Sequence, residues 1–469
     1  MDFILIFLIR AAVIAVVIGW IPAVIAKRKG RSFFTWWIYG TLLFLIALFH
    51  ALVIKGDQKQ VLKQGKIEES IHAHFRTYSM VIALVVIWIL FSILTDGVFF
   101  EPRNLSNLVR QTALIAILAI GMVPVIVTGN IDLSVGSVVG FISIIVAYCQ
   151  YYIFPDLLGG MFPSLETQTT FLGIHTSMNG VISTVLSSVV ALIVGLLIGL
   201  WQGTLIAYLK IPAFIVTLGG YLAFRGGVLL VSGGRTISPV ENSLVEIGQG
   251  YIPKNIGLIL AVLVVACIFI FIMWGRNQKF KYGFDRYPVY RDLLKAAAIS
   301  AIVLFYVLYI ANGYEGIQNP VLLMVIILVI FTYITKNTRF GRYIYAYGGN
   351  KEATRLSGIN TGMIVFKVYI LMGILCAICG VVLTGYVSAG TTSGGNLYEL
   401  LTIAACVIGG TSLMGGEGTV AGAVVGALVM GSLNNGMDLL GWTNSKQWIV
   451  QGLVLIVAVY VDVVSKNKK

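Results

Sequence analysis

Asn130, Asp132 and Ser134 stand at alternate positions in the run GMVPVIVTGNIDLSVGSVVG, residues 121–140, where they make a polar break in an otherwise apolar stretch. A carboxylate inside hydrocarbon costs roughly 2.5–3.5 kcal/mol on insertion scales, so Asp132 has to face a protein interior or a watery path. Amide, carboxylate and hydroxyl groups together offer donors and acceptors for a polar solute. The same groups also serve structure, and Asp132 can cap the helix that follows. Further candidates lie in other apolar runs: Thr217 and Arg225 in 212–231, Glu399 at an outer helix end, and Asn434 and Asn435 in 418–437. For each of these, a helix cap, an interhelical hydrogen bond or, for Arg225, a carboxylate partner across the bundle is the structural alternative. No His/Cys/Asp set has catalytic spacing, since His50, His72, His74 and His175 are scattered. Five cysteines give neither a disulfide framework nor a metal cluster, and Cys376-x-x-Cys379 falls inside an apolar run, where helix packing is its expected role. No catalytic residue, metal or cofactor is expected.

The elements that position these residues follow from composition. Hydrophobic residues make up 58% of the 469 and charged residues 11%, with a mean hydropathy of +0.94, which excludes a water-soluble globule. The runs do not alternate as β-barrel strands would. Spans of about 20 apolar residues cross a hydrocarbon core about 30 Å thick, and the expected fold is an all-α polytopic transmembrane bundle of about 12 core spans. They fall near 79–98, 108–128, 134–154, 180–200, 212–231, 255–274, 294–312, 320–335, 362–387, 399–413, 418–437 and 447–464. The basic loops 275–292 and 336–355 and the Lys466–Lys469 tail fall on one side in this count. The positive-inside rule makes that side cytoplasmic. The net charge of +13 then belongs to loops and implies no nucleic acid.

A second break, Ile408-Gly-Gly-Thr-Ser-Leu-Met-Gly-Gly-Glu-Gly-Thr-Val420, precedes AGAVVGALVMG and shares its outline with residues 128–138: apolar run, glycine break, carboxylate, glycine-spaced helix. Paired interrupted segments mark a repeat-built transporter with its pathway between the halves, and the spans of 399–437 are expected to be broken or re-entrant. Gly195/Gly199 and Gly422/Gly426 are GxxxG pairs that let helices approach closely. Residues 1–62 hold two more hydrophobic segments, 3–25 and 33–54, around Lys27-Arg28-Lys29-Gly30-Arg31, followed by a polar linker at 63–77. This extension weakly resembles small membrane proteins of the superinfection-immunity type. A plain membrane anchor is the alternative.

Four segments in order, TGNIDLSVGSV (128–138), IPAFIVTLGGYLAFRGGVLLVSGGRTI (211–237), FGRYIYAYGGNKEATRLSGIN (340–360) and YELLTIAACVIGGTSLMGGEGTVAGAVVGALVMGSLNNGMDLLG (398–441), resemble the permease subunit of bacterial monosaccharide ABC importers. The resemblance covers about residues 76–465, so 78–469 is expected to be the permease domain. It is strongest with the xylose and multiple-monosaccharide permeases, which share the inserted basic loop and hairpin at 275–335; Leu401 departs from an aspartate frequent in the family. The resemblance implies a homodimer in the bacterial inner membrane, cytoplasmic ABC ATPase subunits, a soluble sugar-binding protein and a monosaccharide cargo. The sequence supports that division of labour, because it contains no Gly-x-x-x-x-Gly-Lys-Ser/Thr loop to cradle ATP phosphates.

Gly348, Gly349, Asn350, Ala353, Ser357 and Gly358 match the family's coupling segment. A short helix capped by Asn350 and presenting Glu352, Ala353 and Leu356 is expected to sit in a cleft of the ATPase. A solvated basic loop that only sets topology is the alternative. Two other functions fit the same broken helices: an ion-coupled secondary transporter, and an ABC permease for a branched-chain amino acid or nucleoside.

Overall fold

The computed structural model describes residues 23–25, 36–38, 67–161, 168–171, 174–281 and 288–466. Most of the amino-terminal hydrophobic pair lies outside the described residues. The chain divides into two compact units, Met1–Phe99 and Phe100–Lys469. In the first unit, helix α1 (Ile67–Leu94) already begins inside the stretch expected as a polar linker, and its apolar part is Met80–Leu94.

The described residues of the second unit are mostly helical, as membrane-spanning backbone must be when hydrocarbon offers it no partners. Its helices are α2 (Pro102–Val127), α3 (Val135–Tyr148), α4 (Phe154–Met161), α5 (Met178–Ala207), α6 (Ala213–Ser232), α7 (Asn242–Gln249), α8 (Lys254–Lys281) and α9 (Val289–Leu304). They continue as α10 (Asn319–Asn337), α11 (Arg339–Gly349), α12 (Lys351–Leu356), α13 (Thr361–Val387), α14 (Tyr398–Ile408), α15 (Val420–Leu439) and α16 (Asn444–Lys466). Ser177, Thr338, Asn350, Asn360 and Thr419 each cap the helix after them by accepting a backbone N–H three residues on. Two small antiparallel ladders, β1 (Gln168–Phe171) with β2 (Ile174–Ser177) and β3 (Tyr251–Ile252) with β4 (Ile317–Gln318), lie in the connections between helices.

Nine helical segments among the described residues are long and apolar enough to span a membrane. The segment expected as a span at 399–413 is not one of them. Its helix, α14, has 11 residues and reaches only about 16 Å at 1.5 Å per residue, half of a hydrocarbon core. The chain then continues irregularly to Thr419, with Gly410, Gly415 and Gly416 at positive φ, so the expected break is real and the tenth span is half a helix.

Burial separates centre from rim. The apolar window of α2 is 83% buried, whereas that of α8 is 11% buried. Around α2 and α13 the helices meet backbone to backbone at glycine. A Cβ on Gly195 would lie 2.4 Å from the Gly373 carbonyl oxygen, and one on Gly426 2.0 Å from that of Ala405. Both GxxxG pairs thus pack helices, Gly195/Gly199 against α13 and Gly422/Gly426 against α14 and its end. Cys376 and Cys379 are buried free thiols of α13, with Cys379 Sγ donating to the Leu114 carbonyl at 3.6 Å.

Candidate functional site

The first break turns back from the end of α2. Thr128 closes that helix, Gly129 takes a positive φ of 74°, and the chain continues irregularly through a bend at Leu133 to Ser134, where α3 starts. Asp132 is 2% exposed and Ser134 wholly buried. One Asp132 carboxylate oxygen accepts both the Ser134 N–H at 2.8 Å and the Ser134 hydroxyl at 2.6 Å. The carboxylate therefore holds the residue that precedes α3 and does not itself cap the first-turn N–H groups, a modification of the expected cap. Gln202 of α5, which sequence reasoning missed, donates to the Ser134 hydroxyl at 2.7 Å. Thr217 of α6 donates to its own Ala213 carbonyl at 2.9 Å and reaches the Ile131 carbonyl at 3.4 Å. Asn130, half-buried, donates to the Thr128 hydroxyl at 3.1 Å and lines a cleft of about 310 Å³ with Lys210, Tyr347 and Thr361.

A second entry into the bundle meets the first. Residues 388–397 connect α13 to α14, and their backbone lies against α3. A Cβ on Gly136 would lie 2.4 Å from the Gly395 carbonyl oxygen and 2.1 Å from Glu399 Oε2, and one on Gly140 2.3 Å from the Gly394 carbonyl. Glu399 sits in the first turn of α14, 6% exposed, and its Oε2 has no hydrogen-bond partner. It is thus at a helix end, as expected, and buried against α3. Arg225 of α6 donates to the Gly394 carbonyl at 2.9 Å, the Thr392 carbonyl at 3.4 Å and the Asn396 side-chain oxygen at 3.4 Å. The expected carboxylate partner gives way to carbonyls.

Asp132, Ser134, Thr217, Arg225 and Glu399 accordingly come together around the starts of α3 and α14, whereas Asn434 and Asn435 do not join them. Asn435 exchanges two 2.9 Å amide hydrogen bonds with Asn104 of α2, and Asn434 accepts from Gln451 of α16 at 2.7 Å. Tyr369, wholly buried in α13 with an unpartnered hydroxyl, is another residue the sequence did not single out.

At the end carrying the basic 336–355 segment, α11 lies against both breaks and Lys351 at the start of α12 lies near Gly129. The Val127 carbonyl at the end of α2 accepts the Gly416 N–H at 2.9 Å, and Gly348 packs on the same spot, where a Cβ would lie 1.8 Å from that oxygen and 2.6 Å from Gly416 N. Tyr345 donates to the Gly418 carbonyl at 2.8 Å. Burial pushes the Tyr345 hydroxyl above its ordinary pKa, so it keeps the proton that makes it a donor. Asn350 caps α12 through a 2.9 Å bond from the Ala353 N–H. Glu352 and Arg355 pair at 2.5 Å on the exposed face, and Leu356 is 74% exposed beside exposed Ala353 and Ser357. Gly358 ends the turn at φ 78° with open space around it. Gly348 thus faces the breaks, while the other expected coupling residues face solvent.

A multi-pass helical membrane protein with paired broken segments, tied by one exposed helical pair at the basic end, is the architecture of a transport permease. The chain belongs to the family described as branched-chain amino acid transport system / permease component, whose model matches residues 104–459. It is 40% identical over 398 residues to the Xylose transport system permease protein XylH of Escherichia coli (strain K12), covering 84% of this chain and 93% of that one. The protein of that name from Haemophilus influenzae is 39% identical over 398 residues, covering 84% and 98%. The Ribose import permease protein RbsC of Escherichia coli (strain K12) is 33% identical over 388 residues, covering 83% and 92%. No solved structure matches the chain.

Proposed function

We propose that this chain is the membrane permease subunit of an ATP-driven monosaccharide importer in the bacterial inner membrane, with xylose the first cargo to test. The observation that carries the reading is the junction of Val127, Gly348 and Gly416. There α11, which leads directly into the short helix α12 with its solvent-facing Leu356, is keyed by backbone contact into both breaks. A push on α12 from a cytoplasmic partner reaches both re-entrant segments without passing through a flexible side chain. The relatives' names supply the cargo class. The partners in this reading are cytoplasmic ABC ATPase subunits, a soluble sugar-binding protein and a second copy of the chain.

Asp132, Ser134, Glu399 and Arg225 border the pathway in this reading, and none of them performs covalent chemistry. Their bonds to backbone and to one another fix the re-entrant segments, leaving few groups to hold a sugar strongly, as suits a subunit that must release its cargo. Uptake of labelled xylose, glucose, galactose, arabinose and ribose into proteoliposomes tests the reading. Uptake that needs internal ATP, the ATPase subunits and the external binding protein supports it. Uptake by this chain alone on a proton or sodium gradient sinks it.

A further inference from the structure

Arg225 is the single charged residue of α6, an apolar helix of 20 residues that qualifies as a membrane span. It lies about 18 Å along that helix from Ala213, deep in a hydrocarbon core about 30 Å thick. Yet this depth is not sealed from the outside of the chain. Arg225 is half-exposed, and Ser393 and Asn396 of the re-entrant segment are exposed beside it. Asn396 is tied to the guanidinium, and the segment's carbonyls take the other Arg225 bonds. Glu399, three residues on, is buried behind this edge with an unpartnered carboxylate oxygen. A guanidinium, a primary amide and a hydroxyl cannot face lipid tails at that depth without a large penalty. What covers them must be able to hydrogen-bond.

We infer that Arg225, Ser393 and Asn396 form a water-facing polar edge of the membrane domain at which a neutral polyhydroxyl solute of monosaccharide size is hydrogen-bonded during passage. The ligand class rests on the importer reading above; the water-facing character does not. Arg225 is the positioning residue: by holding the carbonyls of Thr392 and Gly394 it shapes the segment, while the Asn396 amide and the Ser393 hydroxyl meet the solute. An amide and a hydroxyl offer donors and acceptors in the alternation that sugar hydroxyls need, with no net charge to slow release.

The test is aqueous labelling of introduced cysteines in the assembled transporter, reconstituted with its ATPase subunits, in a Cys267→Ser background because Cys267 is exposed. Asn396→Cys and Ser393→Cys are compared with Val262→Cys on α8, a position 64% exposed on an apolar surface. A charged methanethiosulfonate is supplied on both sides of the vesicle. Both re-entrant cysteines are expected to react at least about tenfold faster than the α8 cysteine, since only a hydrated thiol ionises readily to the reactive thiolate. Xylose, but not the same concentration of leucine, is expected to slow their labelling. Rates equal to that of Val262→Cys for both variants overturn the water-facing edge even if ATP-dependent sugar uptake is intact. Rapid labelling that no monosaccharide slows overturns the solute contact.

Discussion

Gly348 lies on the Val127 carbonyl so closely that a Cβ would sit 1.8 Å from the oxygen, and that oxygen already accepts the Gly416 amide. No side chain fits between α11 and the end of α2. Gly348→Val is expected to abolish uptake and lower the melting temperature in detergent, whereas Gly349→Ala, with nothing within 4 Å of its added Cβ, leaves both unchanged. Fluorescence-detected thermal unfolding and uptake on the same preparations check the pair.

Gly358 needs glycine for its backbone and not for space. A left-handed conformation costs an ordinary residue about 1–2 kcal/mol, and asparagine tolerates it better than valine. Gly358→Val and a bulky residue at Ala353 are expected to stop uptake while the protein still inserts. Gly358→Asn is expected to keep most of it. Normal uptake in Gly358→Val would remove α12 from the coupling role.

The Asn350 cap fixes where α12 begins. Removing it by Asn350→Ala costs about 1 kcal/mol of local helix stability and is expected to lower sugar-stimulated ATP hydrolysis several-fold. Asn350→Asp, which caps equally well, should restore it. Equal hydrolysis by the alanine variant and the parent would show that α12 needs no cap to engage.

Much of this region was legible in the sequence for a simple reason: glycine, asparagine and proline report local backbone geometry. Asn350 as a cap, the break at Gly129, the break after Ile408 and the packing of Gly195 and Gly199 all follow from what those residues do to their own segment. The half-length of α14 was less legible, because an apolar run continuing past Ile408 looks long enough to span until the glycines at 409 and 410 are given their actual conformations. Pairings between distant segments were not legible at all. Nothing local distinguishes Asn435, which binds Asn104 in a helix contact, from Asn396, which meets Arg225, and Gln202 was passed over as one polar residue in an apolar helix.

Both hydrogen bonds that Asp132 accepts come from Ser134. An asparagine oxygen can accept the same two bonds from Ser134, so Asp132→Asn is expected to retain ATP-driven uptake within about threefold. Asp132→Ala leaves buried Ser134 groups unpaired, at about 1–3 kcal/mol, and should lose both stability and uptake. Complete loss in the asparagine variant, with stability intact, would instead point to ion coupling.

The Asn104 and Asn435 side chains exchange two amide hydrogen bonds. Either single alanine change breaks both bonds and should destabilise by about 1–3 kcal/mol, while the double change should cost less than the sum of the two. Neither change should alter the order in which sugars compete for uptake. A double-mutant cycle read by unfolding, together with competition assays, measures both.

The shallow burial of α8, and of the Val289–Ala311 segment that follows it at 22%, has an evolutionary meaning. At the heart of the bundle, glycines such as Gly195 and Gly426 sit in contacts that leave no room for a methyl group, so substitution there is closed. The rim is where a lineage can lengthen, shorten or recharge its loops without disturbing the centre. Arg276 near the end of α8 and Asp292 in the first turn of α9 pair at 2.8 Å on that rim, where a change of charge leaves the centre of the bundle untouched.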